Sequence, residues 1–267
     1  MRTVTGSGRG SLGEVTSSRS AVGTVAALVA VGVLIAFVVA VVQGLVGERE
    51  PGGDGLVAAD VERDTPVAQG DPLPADADLD VWAAATAERT GVPARALRAY
   101  GGAELAQRVD TPDCRLSWST LAGIARVESD HGNLGWATLD ADGVPRPRIV
   151  GVPLDGSAGV REILDTDGGA LDGDPVHDRA VGPLQFLPAT WEAYGADGNG
   201  DGARDPHQID DAARGAAAYL CADGRDTADG AGWWAGVLTY NRSGEYARLV
   251  WAAADRYATA PQASSSD

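Results

Sequence analysis

The stretch Ser117–Gly132, SWSTLAGIARVESDHG, decides the reading of this chain. The Ser117 hydroxyl is suited to cap a helix N-terminus, and Gly132 is a natural stop. Leu121, Ile124 and Ala125 recur at helical spacing. The next position on that apolar stripe is Glu128. A surface helix ordinarily carries its carboxylates on the opposite face. Burial beside apolar neighbours disfavours the charged form and raises a carboxyl pKa. A Glu still protonated near neutral pH can serve as a general acid. The alternative is a Glu at the edge of the stripe, paired with an Arg.

The 267 residues suffice for one or two domains with a sizeable core. Residues 21–46 carry no charge and are almost wholly Ala, Val, Leu, Ile, Gly and Phe. About 20 such residues span a bilayer. Arg2, Arg9 and Arg19 precede the run against Glu14 alone, and Glu48, Glu50 and Asp54 follow it. The positive-inside rule then expects a cytoplasmic tail over 1–20, a transmembrane helix over 21–46 and an extracytoplasmic remainder. A cleaved secretory signal is the alternative, with the same compartment. Residues 47–78 are rich in Gly, Pro, Asp and Ala and read as a flexible linker. The domain proper runs over 79–260, and 261–267 is a frayed tail.

The formal net charge is −17, and the first 20 residues are basic, so the rest is more acidic still. Such a domain offers no basic patch to nucleic acid. The two cysteines, Cys114 and Cys221, both follow the apolar run, and in an exported domain they are expected to form a disulfide.

Helical patterns predict a mainly α fold. Helices are expected from near Asp80 to Gly91, from Pro93 to about Arg108, over the Glu128 stretch, from Pro188 to Tyr194, from Asp210 to Cys221, from Gly232 to Tyr240 and from Glu245 to Tyr257. Residues 133–181 form a long irregular insertion with Asp-Gly turns at 142–143, 155–156, 167–168 and 172–173. Its apolar piece at 149–152 suits a small hairpin.

Several chemistries are excluded. His131, His177 and His207 show no metal-ligand spacing. There is no G-x-S-x-G elbow and no phosphate-binding Gly loop after a strand. Acid chemistry with aromatics and amides remains, which suits carbohydrates.

Two more blocks stand out. DRAVGPLQFLPATW (178–191) puts Gln185 in a tight segment between a Gly-Pro turn and a helix start. Thr239-Tyr240-Asn241 ends a helix, where Asn241 would suit a left-handed cap. The order VES, G-x-x-Q-F-x-P-x-T-W, D-x-N-x-D-G, Y-L-C, W-W…T-Y-N resembles the soluble-type and membrane-bound B-type lytic transglycosylases of peptidoglycan. The DRAVGPLQFLPATW variant with paired cysteines is similar to the actinobacterial branch. The resemblance covers about residues 92–257.

It implies a lysozyme-like α fold with one catalytic acid, at Glu128, and Ser129 beside it as a supporting hydrogen-bonder. Gln185 matches a Gln lining the site, and Tyr240 and Asn241 match a Tyr-Asn pair near the acid and the scissile sugar. The family usually has Met where this chain has Leu184, a swap that conserves volume. The implied substrate is the glycan strand, cleaved between N-acetylmuramic acid and N-acetylglucosamine with formation of a 1,6-anhydro ring. No cofactor is required. A hydrolytic muramidase using the same Glu, or a non-catalytic wall-binding scaffold, are the alternatives. Asp130, two residues along the helix, points away from Glu128.

The loop 197–202 resembles the start of an EF-hand. Asp197, Asn199 and Asp201 supply oxygens at positions one, three and five, with the Ala203 carbonyl and Asp205 further on. Gln208 stands at position twelve, where a bidentate Glu is usual, and Asp205 or Asp210 would have to substitute. A structural calcium is the expectation, and a metal-free acidic turn the alternative. Trp233 and Trp234 are adjacent on a helix and face different ways, one toward the core; for the other, stacking on a sugar is the alternative to the core position that aromatics at helical spacing usually take.

Overall fold

The computed structural model describes residues 55–157 and 160–261. Seven α-helices follow in order: α1 Leu79–Thr90, α2 Ala94–Asp110, α3 Trp118–Ser129, α4 Pro188–Tyr194, α5 Ile209–Leu220, α6 Gly230–Tyr240 and α7 Gly244–Ala258. Two short strands, β1 Thr138–Leu139 and β2 Pro145–Arg146, pair antiparallel, with Thr138 opposite Arg146. This mainly helical architecture with a long irregular insertion is consistent with a lysozyme-like domain. The expected span at 21–46, the tail at 1–20 and residues 262–267 lie outside the described residues. Among the described residues, no helix is long and apolar enough to cross a membrane.

The organising element is α3. Ser117 caps it, its Oγ accepting from the Ser119 N–H at 3.3 Å. Ten of its twelve residues are buried, Glu128 and Ser129 among them. The helix therefore runs through the core rather than over the surface, and the apolar stripe seen in the sequence is only part of its buried face. It ends at Asp130, and the chain then turns through three left-handed residues, Asp130, His131 and Gly132.

Its start is held by a second buried acid. Glu104 on α2 accepts the Trp118 N–H at 2.8 Å and the Leu73 N–H at 3.3 Å, and pairs with Arg108. Both carboxylate oxygens are thereby used. The far side of α3 lies against α7. A Cβ added at Gly123 would sit 2.8 Å from the Val250 carbonyl oxygen and 3.0 Å from the Ala254 Cβ. The Cys114–Cys221 disulfide ties the segment before α3 to the end of α5, across 107 residues.

Two further expectations change. The described part of the linker, residues 55–78, is irregular yet packed on the helices. Val67 and Leu73 join the core, and the indoles of Trp234 and Trp251 both donate to the Thr65 carbonyl. Its composition cannot build a core of its own, but the segment needs only to cover one the helices supply. Helix α5 starts one residue before the expected Asp210 and is capped by Gln208, whose side chain accepts from the Asp210 and Asp211 N–H groups.

In the insertion the four Asp-Gly turns form as read, with Gly143, Gly156, Gly168 and Gly173 all left-handed. The piece at 149–152 makes no hairpin of its own. Val150 bridges to Val181 instead, which draws the insertion back to the 182–185 loop.

The close approach at Gly123 yields a prediction. Gly123→Val forces α3 and α7 apart and is expected to cost about 1–3 kcal/mol of stability, read from chemical denaturation. An unchanged midpoint would show that the two helices can separate freely there.

Candidate active site

Glu128 lies near the C-terminal end of α3 and is 1 % exposed. Its Oε1 accepts a hydrogen bond from the Tyr246 hydroxyl at 2.6 Å. Its Oε2 is buried and has no partner. A carboxylate so placed would lack the hydration that stabilises its charge, and one hydrogen bond cannot replace it. Burial accordingly pushes the Glu128 pKa up to about 8, against a smaller downward pull from Tyr246. Glu128 is thus a neutral acid at physiological pH. Glu104, the other buried Glu described above, differs in having both oxygens used.

Tyr246 comes from the first turn of α7, at helical spacing with the buried Leu249, Val250 and Ala253. Its ring is buried in the core, but a buried hydroxyl requires a partner. That requirement, and a carboxyl on a neighbouring stripe, were the available signals.

The other expected residues gather around one loop. Val181 and Phe186 exchange two backbone hydrogen bonds, closing Gly182-Pro183-Leu184-Gln185 into a tight turn. Ser129 Oγ donates to the Pro183 carbonyl and accepts from the Gly132 N–H. The Tyr240 hydroxyl donates to the next carbonyl, of Leu184, at 2.7 Å. Adjacent carbonyls of the loop are thus held by the ends of two different helices, α3 and α6. Ser129 and Tyr240 act here on backbone, as positioning residues. Gly182 has no room for a side chain, since a Cβ would meet the Pro206 carbonyl oxygen at 1.9 Å.

Gln185 is itself left-handed at φ 49°, unusual for a residue with a side chain. Its Nε2 donates to the Gly182 carbonyl at 2.8 Å. Asn241 is 1 % exposed and extended (φ −146°, ψ 123°), so the left-handed cap does not form. Its Oδ1 accepts from the Ser243 N–H, while Nδ2 is buried without a partner. Orphaned buried polar atoms cost about 1–3 kcal/mol each, and they concentrate where function requires them. Among the described residues three occur, on Glu128, Asn241 and His207.

Asp130 lies off this site as expected, paired with Arg126. Both tryptophans take the core reading: Trp233 and Trp234 are each 1 % exposed, with indoles bonded to Thr120 and Thr65. The exposed indole is Trp136, at 89 %.

The acidic loop turns its oxygens onto itself. Asp197 accepts from the Gly200 and Gly202 N–H groups, Asn199 from Asp201, and Asp201 from Ala203. Buried Asp211 accepts from Gly198, Asn199 and Asp205. Asp205 pairs with Arg148, and Asp210 with Arg95. Among the described residues, Asp197, Asp201 and Asp205 do not form a close group of three carboxylates. Among the described residues the acidic groups that do lie close together are Asp165, Asp167 and Asp178, in the insertion. Gln208, at position twelve, serves as the cap of α5.

With this geometry in view, one comparison is informative. Residues 179–235 match the family model of the transglycosylase SLT domain. That match supports a lytic transglycosylase enzyme. It spans Gln185, the acidic loop, α4, α5 and the start of α6, while Glu128, Ser129, Tyr240 and Asn241 fall outside it. No curated protein and no solved structure matches the chain.

The raised acid makes a prediction about stability. In the unfolded chain Glu128 ionises near its ordinary 4.5, and in the folded protein only near 8. The stability it contributes is fully present below the lower value and is lost as pH rises toward the upper one. Glu128→Gln does not titrate. Its stability relative to wild type should rise by about 1.4 kcal/mol per pH unit between roughly pH 5 and 8. Parallel pH–stability curves for the two proteins would mean that Glu128 ionises normally.

Proposed function

We propose that the chain is a peptidoglycan lytic transglycosylase in which Glu128 is both acid and base. The observation that carries this is a single, buried, neutral carboxyl with one oxygen free of any partner. Most glycosidases use two carboxyls across the scissile bond. Here Asp130 is paired with Arg126, and Glu104 has both oxygens occupied. Neither is available as the second acid.

Glu128 protonates the glycosidic oxygen between N-acetylmuramic acid and N-acetylglucosamine, and the C1–O bond breaks. The substrate's acetamido oxygen bonds to C1 and carries the positive charge, replacing the second carboxylate. Glu128, now an anion, takes the proton of the muramyl C6 hydroxyl. O6 bonds to C1, the acetamido group is released, and the 1,6-anhydro ring closes. Glu128 ends protonated and no water is consumed. The Tyr246 hydroxyl steadies the anionic form between the two steps, which a solely apolar pocket could not do.

At 1 % exposure the carboxyl must be uncovered before a glycan reaches it. The unpartnered Asn241 Nδ2 would then be available to sugar hydroxyls and amides. The order of motifs favours the membrane-bound B-type, the DRAVGPLQFLPATW variant with paired cysteines the actinobacterial branch, and the uncharged run at 21–46 behind three arginines a single-pass anchor with an extracytoplasmic domain.

The test is mass analysis of digested peptidoglycan. Wild type should release anhydromuropeptides, and Glu128→Gln should fold and lose activity by about a hundredfold or more. Tyr246→Phe removes the bond that lowers the Glu128 pKa and should retain the product while slowing turnover. Reducing-end muramic acid would make the enzyme a hydrolase. Absence of any product would leave a wall-binding scaffold.

A further inference from the structure

The last turns of α1, α3 and α7 meet at a cavity of about 720 Å³. Each contributes one arginine to its lining: Arg89, Arg126 and Arg256. Arg126 and Asp130 lie two residues either side of Glu128, on the opposite face of α3, so this cavity is separate from the site above. Glu128 does not line it.

The concentration of positive charge is out of character for a chain with a net charge of −17. Arg126 is paired with Asp130. Arg89 bonds only neutral oxygens, the Ala260 carbonyl and Thr86 Oγ1, each at 3.3 Å. Arg256 lies over the Tyr257 ring, 5.3 Å from its centroid, and has no carboxylate partner. His131, at the cavity wall, adds no charge. It is buried between the hydroxyls of Tyr100 and Tyr257, and burial with Arg126 and Arg256 nearby pushes its pKa down to about 3. Among the described residues, three arginines and one carboxylate, Asp130, therefore line the cavity.

An arginine in a final helical turn offsets the negative end of the helix dipole, which accounts for one basic residue on each helix. It does not account for an opening of this size among them, nor for an Arg256 that bonds no helix carbonyl. We propose that the cavity is a binding site for a phosphate group. A dianion matches the surplus of two charges, and guanidinium forks match its oxygens. A single carboxylate would leave one arginine uncompensated. The site is independent of the proposed activity.

The experiment is calorimetric titration of the full chain, in detergent and at low ionic strength, with inorganic phosphate, glycerol 3-phosphate and acetate. Phosphate should bind saturably at one site and acetate should not. Arg89→Gln and Arg256→Gln should each weaken phosphate by about tenfold, with unchanged melting temperature in its absence. Asp130→Asn removes the opposing charge and should tighten binding severalfold, a gain that misfolding cannot produce. Tighter binding of the ester than of inorganic phosphate would assign the site to a phosphorylated ligand, and equal binding to the free ion. Absence of saturable binding, acetate binding as well as phosphate, survival of binding in both arginine variants, or no tightening in Asp130→Asn would each overturn the proposal.

Discussion

The site depends on one hydrogen bond in an otherwise apolar place. Tyr246 on α7 donates to Glu128 on α3, and among the described residues no other group bonds the carboxyl. A buried carboxylic acid with one donor is caught between two penalties. Ionised, it lacks solvation; neutral, it still holds an unpaired oxygen. The surrounding helices hold it there because α3 is enclosed along most of its length. Close contact with α7 at Gly123 fixes the distance between the two helices, and hence between acid and phenol.

The loop at 182–185 is the second constraint. It is closed on itself by Val181 and Phe186 and gripped on adjacent carbonyls by Ser129 and Tyr240. Three sequence motifs far apart in the chain thereby meet at one turn. A hydroxyl spent on a backbone carbonyl is not free for substrate, so these residues act by fixing where Gln185 stands. The left-handed backbone of Gln185 persists because its neighbours on both sides are pinned.

The acidic surface is managed partly by local backbone bonds, beside long-range ion pairs such as Asp205 with Arg148 and Asp210 with Arg95. In the insertion and the 197–205 loop, carboxylates accept from N–H groups a few residues away, making turns where no helix or strand would. These loops are ordered by their own aspartates.

Much of the fold was legible in the sequence. Helical spacing and capping residues located all seven helices, since both act within a few residues and need no knowledge of the tertiary fold. Asp-Gly pairs marked the turns for the same reason. The burial of Glu128 was legible because its position on an apolar stripe is a local property of α3. Tertiary structure decided what depends on distant partners. Tyr246 meets Glu128 from 118 residues away, and no periodicity within α7 distinguishes a tyrosine that bonds an acid from one that only packs. Both tryptophans of the 233–234 pair are buried because the 55–78 segment covers the second, through Thr65. The composition of that segment reports only what it can bury alone. The convergence of three arginines likewise required three helix ends to meet, which spacing along one helix cannot show.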